Sequence, residues 1–389
     1  MRISAMILLF GVITLNAAEV STTQPEQAKP VSKDILRQKM AEPIRKGLSF
    51  LVDAQLEDGG WPGWTGASDP AITALVTKAF IQHPDYGPKH PVVQQAVKLV
   101  LSYRQPDGGI YDPKIGYANY TTSIALMMLS SLEYSDFSEV RDEAVAYLKK
   151  NQWTPEDEDN HGKAITREHP WYGGAGYGKH RRPDLSNTQM MLEALHQSGL
   201  PADDPAFQRA MQFVRRCQML SSTNDLPLAK GAIDGGFIYS PANGGESKAG
   251  FHTVGGITML RSYGSMTYAG FKSMLYADVD RNDRRVQAAW NWIRSNYTLE
   301  HNPGLPAARS KQGLYYYYHV FAKALQVWGK TFVTEPNGQR HDWRRELCEE
   351  LREKQRPDGS WINTADRWME DNPCLVTAYS LLAIQAALE

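Results

Sequence analysis

Cysteine is scarce in this chain. Its 389 residues include three, Cys217, Cys348 and Cys374, so at most one pair can form and a disulfide-framed scaffold is excluded. Cys348 and Cys374 fall in one predicted helical hairpin and are the candidate pair; three buried thiols is the plainer expectation. An excess of either charge is also lacking: 42 Lys and Arg stand against 43 Asp and Glu, a net charge of −1. A surface that tracks a phosphate backbone needs a basic excess, so nucleic acid is not an expected partner. The spacings Cys-x-x-Cys, His-x-x-x-His and His-Glu-x-x-His do not occur, and no metal site is read. Gly-x-Ser-x-Gly and the P-loop are missing too. The run Gly174-Ala175-Gly176-Tyr177-Gly178 has neither the preceding strand nor the spacing of a dinucleotide loop. No cofactor is expected.

Long apolar runs are absent as well. The one notable run, Met6 to Leu15, is too short to span a bilayer. Arg2 precedes it and the small residues Ala17 and Ala18 follow. This pattern predicts a secretory signal peptide over residues 1–18, cleaved near Ala17 or Ala18, and an exported protein in the periplasm or beyond. Residues 19–33 are polar, contain Pro25 and Pro30, and read as a flexible spacer. The remainder, 34–389, is expected to be one globular domain, since hydrophobic residues make up 42% and charged residues 22% of the chain. No transmembrane helix is expected in the mature protein.

A repeat is present. Gln55-Leu56-Glu57-Asp58-Gly59-Gly60-Trp61, Gln105-Pro106-Asp107-Gly108-Gly109-Ile110 preceded by Arg104, and Gln355-Arg356-Pro357-Asp358-Gly359-Ser360-Trp361 share a Gln, an Asp-Gly-Gly/Ser turn and a large apolar residue. Weaker copies are read at Asn151-Gln152-Trp153, at Asp234-Gly235-Gly236-Phe237 after Gln218, and at Gly313-Leu314-Tyr315 after Asn296. Each copy ends an amphipathic helix: Ile44, Leu48, Leu51 and Val52 recur at helical spacing, as do Val92, Ala96, Leu99 and Val100. Each is followed by a more apolar helix rich in small residues, predicted over 72–81, 121–132, 188–195, 268–276, 319–328 and 376–388. The glycines suit the reversal between the two helices, the Asp suits free N–H groups of the turn, and the Gln amide suits loose backbone ends. Three connections, 154–186, 219–264 and 298–314, are long for such a repeat and are candidates for function.

These Gln…Asp-Gly-Gly-Trp units resemble the QW-type repeats of the squalene cyclase and protein prenyltransferase superfamily, over nearly the whole of 34–389. The resemblance implies an all-α fold, a single (α/α)6 toroid of six helical hairpins, with a central cavity lined by the N-terminal parts of the inner helices. It also implies an apolar isoprenoid-type ligand, bound or transformed. The family's Asp-x-Asp-Asp acid motif is absent: the nearest match, Asp278-Val279-Asp280 with Asp283, is expected at the far end of an inner helix, with Asp280 or Asp283 capping the next. The prenyltransferase zinc set is not matched either; His319 has no Asp and Cys beside it. The opening Arg45-Lys46-Gly47-Leu48…Gln55…Gly59-Gly60-Trp61-Pro62 resembles a toroidal pectate-lyase type over one repeat. Lys179-His180-Arg181-Arg182 would then supply charge, or is a solvated basic loop.

If the inner helices begin as predicted, Asp184, Tyr268 and His319 face one cavity, as acid or base, aromatic wall and proton partner. Asp69, Asn119, Tyr120, Asn187, Tyr317 and Tyr318 would stand beside them as substrate-binding residues. Helix caps and core tyrosines are the alternative for each. Three functions are open: an isoprenoid-handling enzyme or binder, a non-catalytic binding toroid, and a polysaccharide lyase or hydrolase. No oligomeric state is assigned.

Overall fold

The computed structural model describes residues 30–132, 135–178 and 181–389. The segment expected as a signal peptide, and most of the expected spacer, lie outside these residues. Residues 30–33 do not behave as a spacer: the Val31 N–H donates to Asp342 Oδ2 at 3.0 Å, and Ser32 caps the first helix.

Twelve α-helices are described, and they alternate between an outer and an inner layer. The outer helices are α1 (Lys33–Asp53), α3 (Pro91–Ser102), α5 (Ser138–Lys150), α7 (Pro205–Cys217), α9 (Arg284–Ser295) and α11 (Trp343–Lys354). The inner ones are α2 (Pro70–Ile81), α4 (Ala118–Ser130), α6 (Leu185–Gln197), α8 (Gly264–Tyr276), α10 (Leu314–Trp328) and α12 (Pro373–Leu388). Each inner helix packs on the next, α2 on α4, α6, α8, α10, α12 and back to α2, so the ring closes. The fold is an all-α toroid of six helical hairpins, inner helices within outer ones. Two short antiparallel hairpins, β1 (Phe251–Val254) with β2 (Ile257–Leu260) and β3 (Phe332–Thr334) with β4 (Arg340–Asp342), decorate it.

The repeat residues hold the hairpins together. Gln55 Nε2 donates to the Gly59 carbonyl at 2.9 Å and to the Val92 carbonyl at the start of α3 at 3.0 Å. Gln152 joins Gly173 to Ala206 of α7, and Gln218 joins Gly235 to Arg285 of α9. Gln355 joins Gly359 to Pro43 of α1, across 312 positions of sequence, and so stitches the last hairpin to the first. Gln105 stays within its own turn; there a two-pronged Arg104–Glu143 ion pair links α3 to α5.

The turns obey one geometry. Asp58, Asp107, Asp234 and Asp358 each accept from the N–H two residues on. The following apolar residue donates its N–H to a threonine of the inner helix: Trp61 to Thr73, Ile110 to Thr122, Phe237 to Thr267, Trp361 to Thr377. Gly359 has φ +89° and lies against the Lys46 carbonyl of α1, where a β-carbon would collide with backbone. Trp61 and Trp361 are equivalent: both are fully buried, and both donate Nε1 to an outer-helix carbonyl, Leu51 and Leu351, at 2.7 Å.

Three expectations are corrected. The third copy is not Gln152-Trp153: its turn is Gly173-Gly174-Ala175, separated from Gln152 by an insertion, and Ala175 donates to Thr188. Trp153 packs with Ile165, Trp171 and Ala242 in a separate small cluster. The fifth copy lacks the Gln clamp, and Asn296 bonds back to Trp292 instead. The inner helices also start two to five residues earlier than predicted. Asp69 is a cap whose carboxylate lets α2 begin at Pro70, and Asn302 of the α9–α10 connection accepts from the Ser265 N–H at the start of α8. The three cysteines are buried free thiols. Asp283 caps α9, as its spacing implied.

At the C-terminal ends of the inner helices the ring is filled by polar side chains. Lys272 pairs with Glu193, both essentially fully buried, and Lys78 donates to Met127, Ser131 and Gln197. Burial raises the Glu193 carboxyl, but the Lys272 and Lys323 ammoniums outweigh it and hold the group at about 2. Among the described residues no helix is long and apolar enough to cross a membrane.

Removing the Trp361 side chain leaves an indole-sized void and an unpaired Leu351 carbonyl. Trp361→Ala is expected to cost about 3–5 kcal/mol in denaturant unfolding; a loss below about 1 kcal/mol contradicts the equivalence of the junctions.

Candidate functional site

A cavity of about 480 Å³ opens at the N-terminal turns of the inner helices. Each of the six contributes: Ile72 from α2, Tyr120 and Thr121 from α4, Ser186 from α6, Ser265 and Met266 from α8, Tyr316 from α10, Leu375 and Tyr379 from α12. The long connections supply the rest of the wall, with Tyr177 from 154–186, Tyr239, Lys248 and Tyr263 from 219–264, and Gly313 from 298–314. Seven tyrosines, the six just named and Tyr117, meet around one space. Trp64, Ile115, Tyr117 and Trp368 form an exposed apolar rim. Such a wall, apolar with few polar groups, suits a hydrophobic ligand.

The tyrosine rings are held by their own hydroxyls and neighbours. Tyr316 shares a hydrogen bond with Ser186 at 2.9 Å and accepts from Gln189 at 3.2 Å. Tyr120 and Tyr379 approach through their hydroxyls at 3.4 Å. Burial pushes the Tyr120 phenol up to about 12 and those of Tyr177, Tyr239, Tyr316 and Tyr379 higher still. All stay neutral at physiological pH and line the cavity with aromatic rings.

Carboxyl groups reach the wall at three points, Asp69, Asp112 and Glu370. Asp69 caps α2: its Oδ1 accepts from the Ala71 and Ile72 N–H groups, both at 2.9 Å. No hydrogen bond is found on its Oδ2 among the described residues. Burial, helped by the Asp112 charge, raises its carboxyl above the ordinary range despite those two bonds. Glu370 is pushed up to about 7 by burial, but it is fully engaged. It accepts from the Tyr316 N–H at 2.8 Å and from Asn363, and so caps α10, whose own cap residue, Gly313, has no side chain to do so.

Of the residues singled out from sequence, Asp69 and Tyr120 line this cavity. Asp184 does not; it is a buried cap, bonded to the N–H and side chain of Asn187 at 2.8 Å each. It touches the wall from behind through the hydroxyl of Tyr239. Asn119 pins the 176–177 segment, donating its side-chain amide to the Gly176 carbonyl and its N–H to the Tyr177 carbonyl, both at 2.9 Å. Tyr268 is buried against Tyr317 and Phe321 at 5.7 and 5.0 Å between ring centres. Tyr317 and Tyr318 bond the Thr298 and Leu299 carbonyls, away from the cavity. His319 lies behind Tyr379 at 5.4 Å, and burial lowers its imidazole to about 3, so it is neutral. The expectation that Asp184, Tyr268 and His319 share one cavity is therefore corrected. Tyr268 and His319 stand four and five residues into their helices, whose real starts, Gly264 and Leu314, bring Tyr263 and Tyr316 to the mouth instead.

Tyr177, Tyr239, Tyr263 and Lys248 were missed as individual residues, although the connections that carry them stood out by length. Arg182, from the basic run, bonds Glu246; Lys179 and His180 lie outside the described residues. Among the described residues no three His, Cys, Asp or Glu side chains come together as a metal site.

Comparison with solved structures places the fold. The chain superimposes on the type II terpene cyclase MstE from Scytonema, in complex with its product merosterolic acid A, with a TM-score of 0.55 at 15% identity over 91% of this chain and 99% of that one. A second MstE structure, with the substrate geranylgeranyl dihydroxybenzoate, gives a TM-score of 0.53 at 14% identity over 91% and 99%. An α-1,6-mannanase from Salegentibacter gives 0.53 at 10% identity over 90% and 99%. In sequence, 99 residues are 30% identical to a terpene cyclase/mutase from Nectria, a match covering 21% of this chain and only 13% of that protein. No family model matches the chain.

Burial holds the Asp184 carboxyl at about 6, above its ordinary 3.8, against the pull of Asn187, Tyr239 and Arg182. The folded state therefore binds this proton more tightly than the unfolded chain. Its contribution is fully present below pH 3.8 and is lost as pH rises to about 6. Asp184→Asn keeps a cap acceptor and cannot ionise. Its unfolding free energy relative to the native protein is expected to improve by roughly 2–3 kcal/mol between pH 4 and 6. A difference that stays flat across that range contradicts the buried carboxyl.

Proposed function

We propose that this protein binds an isoprenoid-type chain in the central cavity and rearranges it by protonation from Asp69. The observation that carries the reading is the convergence of seven tyrosines, from all around the ring, on one apolar space with an acid at its wall. An alkene is a weak base, so the donor must hold its proton at neutral pH and keep an oxygen free to deliver it. Asp69 is placed for this role: burial raises its carboxyl above the ordinary range, and Oδ2 carries no hydrogen bond among the described residues. Protonation at one double bond leaves a carbocation, and the tyrosine faces stabilise that charge without being nucleophilic enough to trap it. Loss of a proton elsewhere on the chain returns the balance, so the product is an isomer of the substrate. The likeness to MstE, with prenylated substrate and product, supports this reading at the level of the fold. The mannanase likeness supports the polysaccharide alternative at the same level; the apolar wall favours the isoprenoid. Export through the 1–18 segment belongs to the same proposal, and recovery of an intact Met1 terminus from extracytoplasmic protein counts against it.

Incubation with geranylgeranyl dihydroxybenzoate, followed by chromatography and mass spectrometry, is expected to give a cyclised product of unchanged mass. Asp69→Asn should lower that rate by about 10²–10⁴-fold while ligand still quenches protein fluorescence. Binding without turnover in the native protein leaves a binding toroid. A rate unaffected by Asp69→Asn removes Asp69 as the acid.

A further inference from the structure

The cavity wall is not uniformly apolar. Asp69 and Asp112 belong to the α2 and α4 side of the ring, and one cation, Lys248, is found among the lining residues described. Lys248 sits on the connection preceding α8, and α8 stands across the ring from α2. Its Nζ lies 4.4 Å from the centre of the Tyr239 ring and is bonded to Glu246. The same Glu246 carboxylate is also bonded by Arg182. Lys248, Arg182 and Arg367 together face two carboxylates, Glu246 and the Asp184 behind Tyr239, so one positive charge is left over beside the cavity. Arg367, stacked on the rim residue Trp368 at 4.9 Å, adds positive field at the mouth. Burial, together with Arg182 and Arg367, draws the Lys248 ammonium below its ordinary range, against the opposing pull of Asp184. An anion placed there relieves a charge that its surroundings leave under-compensated.

We infer that the ligand is an amphiphile, an isoprenoid-type chain carrying a carboxylate head group that Lys248 receives while the tail extends toward Asp69. This rests on the reading that the cavity takes an isoprenoid. The count of charges selects the head group. One surplus cation matches a monovalent anion, whereas a diphosphate would bring about three negative charges into a space that also holds Asp69 and Asp112. A neutral hydrocarbon would leave the Lys248 side unused. The polar end would also fix direction: with the head at Lys248, the far end of the chain is the part presented to Asp69, which determines the double bond that is protonated.

The experiment is a fluorescence titration of the intact protein with three probes: geranylgeranyl dihydroxybenzoate, its methyl ester, and geranylgeraniol. The acid is expected to bind about 10-fold or more tightly than the ester, as a charge-assisted hydrogen bond provides. Lys248→Met should bring the acid down to the ester's affinity, and Lys248→Arg, which keeps the charge, should restore the preference. Equal binding of acid and ester by the native protein overturns the head-group inference and leaves the isoprenoid reading standing. A preference for the acid that survives in Lys248→Met overturns the assignment to Lys248. Geranylgeranyl diphosphate, added as a competitor, should displace the acid poorly; tighter binding than the acid overturns the choice of a monovalent head. Failure of all three probes to bind, in a protein that remains folded by circular dichroism, is a failure of the isoprenoid reading itself.

Discussion

The ring stands on a side-chain amide. Gln55, Gln152, Gln218 and Gln355 each use one Nε2 to hold a glycine carbonyl of their own turn and a carbonyl of another outer helix. An amide NH2 has two donors, and here both are used on backbone acceptors that would otherwise compete for water. The glycines are the second half of this device. A β-carbon at Gly173 or Gly359 would enter the backbone of Arg209 or Lys46 on the adjoining outer helix. The turn can therefore sit flush on its neighbour, and the amide can reach across. Gln355 and Pro43 complete the circle, so no hairpin is left with an uncovered apolar face.

Closing the ring has a consequence for chemistry. Six inner helices that all run in the same sense bring six N-terminal turns to one end, where unpaired N–H groups must be satisfied. Asp69, Asp184, Asn372, Asn302 and Glu370 meet that demand. Most of these carbonyl and carboxyl oxygens are consumed by capping. Asp69 differs because both its bonds fall on Oδ1, which leaves the other oxygen without a hydrogen bond among the described residues. The same constraint that builds the helix starts thus leaves a wall acid with one oxygen that carries no hydrogen bond among the described residues. At the other end of the ring, the Lys272–Glu193 pair and the bonds of Lys78 fill the space, so ligand access belongs to the tyrosine-lined mouth.

The sequence made the architecture legible because the repeat residues are the architecture. A Gln, an Asp-Gly turn and a large apolar residue at fixed spacing can be read without coordinates, and each is seen in its structural place at Trp61 and Trp361. The site was less legible, for two physical reasons. Polar caps, such as Asp69 and Asn302, extend the inner helices toward the N-terminus beyond their apolar pattern, so the periodicity alone placed the mouth too far along. His319 and Tyr268 were chosen on that register and are buried between helices. Second, Tyr177, Tyr239 and Lys248 sit on irregular connections with no periodicity, and only the closed ring brings them together. Connection length marked the segments but not the side chains. The third repeat was misplaced for a related reason: an insertion separates Gln152 from its Gly173 turn, and the neighbouring Trp153 imitates the motif.

A crystal structure of the Asp69→Asn protein soaked with geranylgeranyl dihydroxybenzoate is the most direct measurement. The account predicts density for an extended or folded chain among Tyr120, Tyr239, Tyr316 and Tyr379, with the carboxylate at Lys248 and a double bond at residue 69. An empty tyrosine cavity, with the ligand absent or bound on the outer face of the ring, would contradict it.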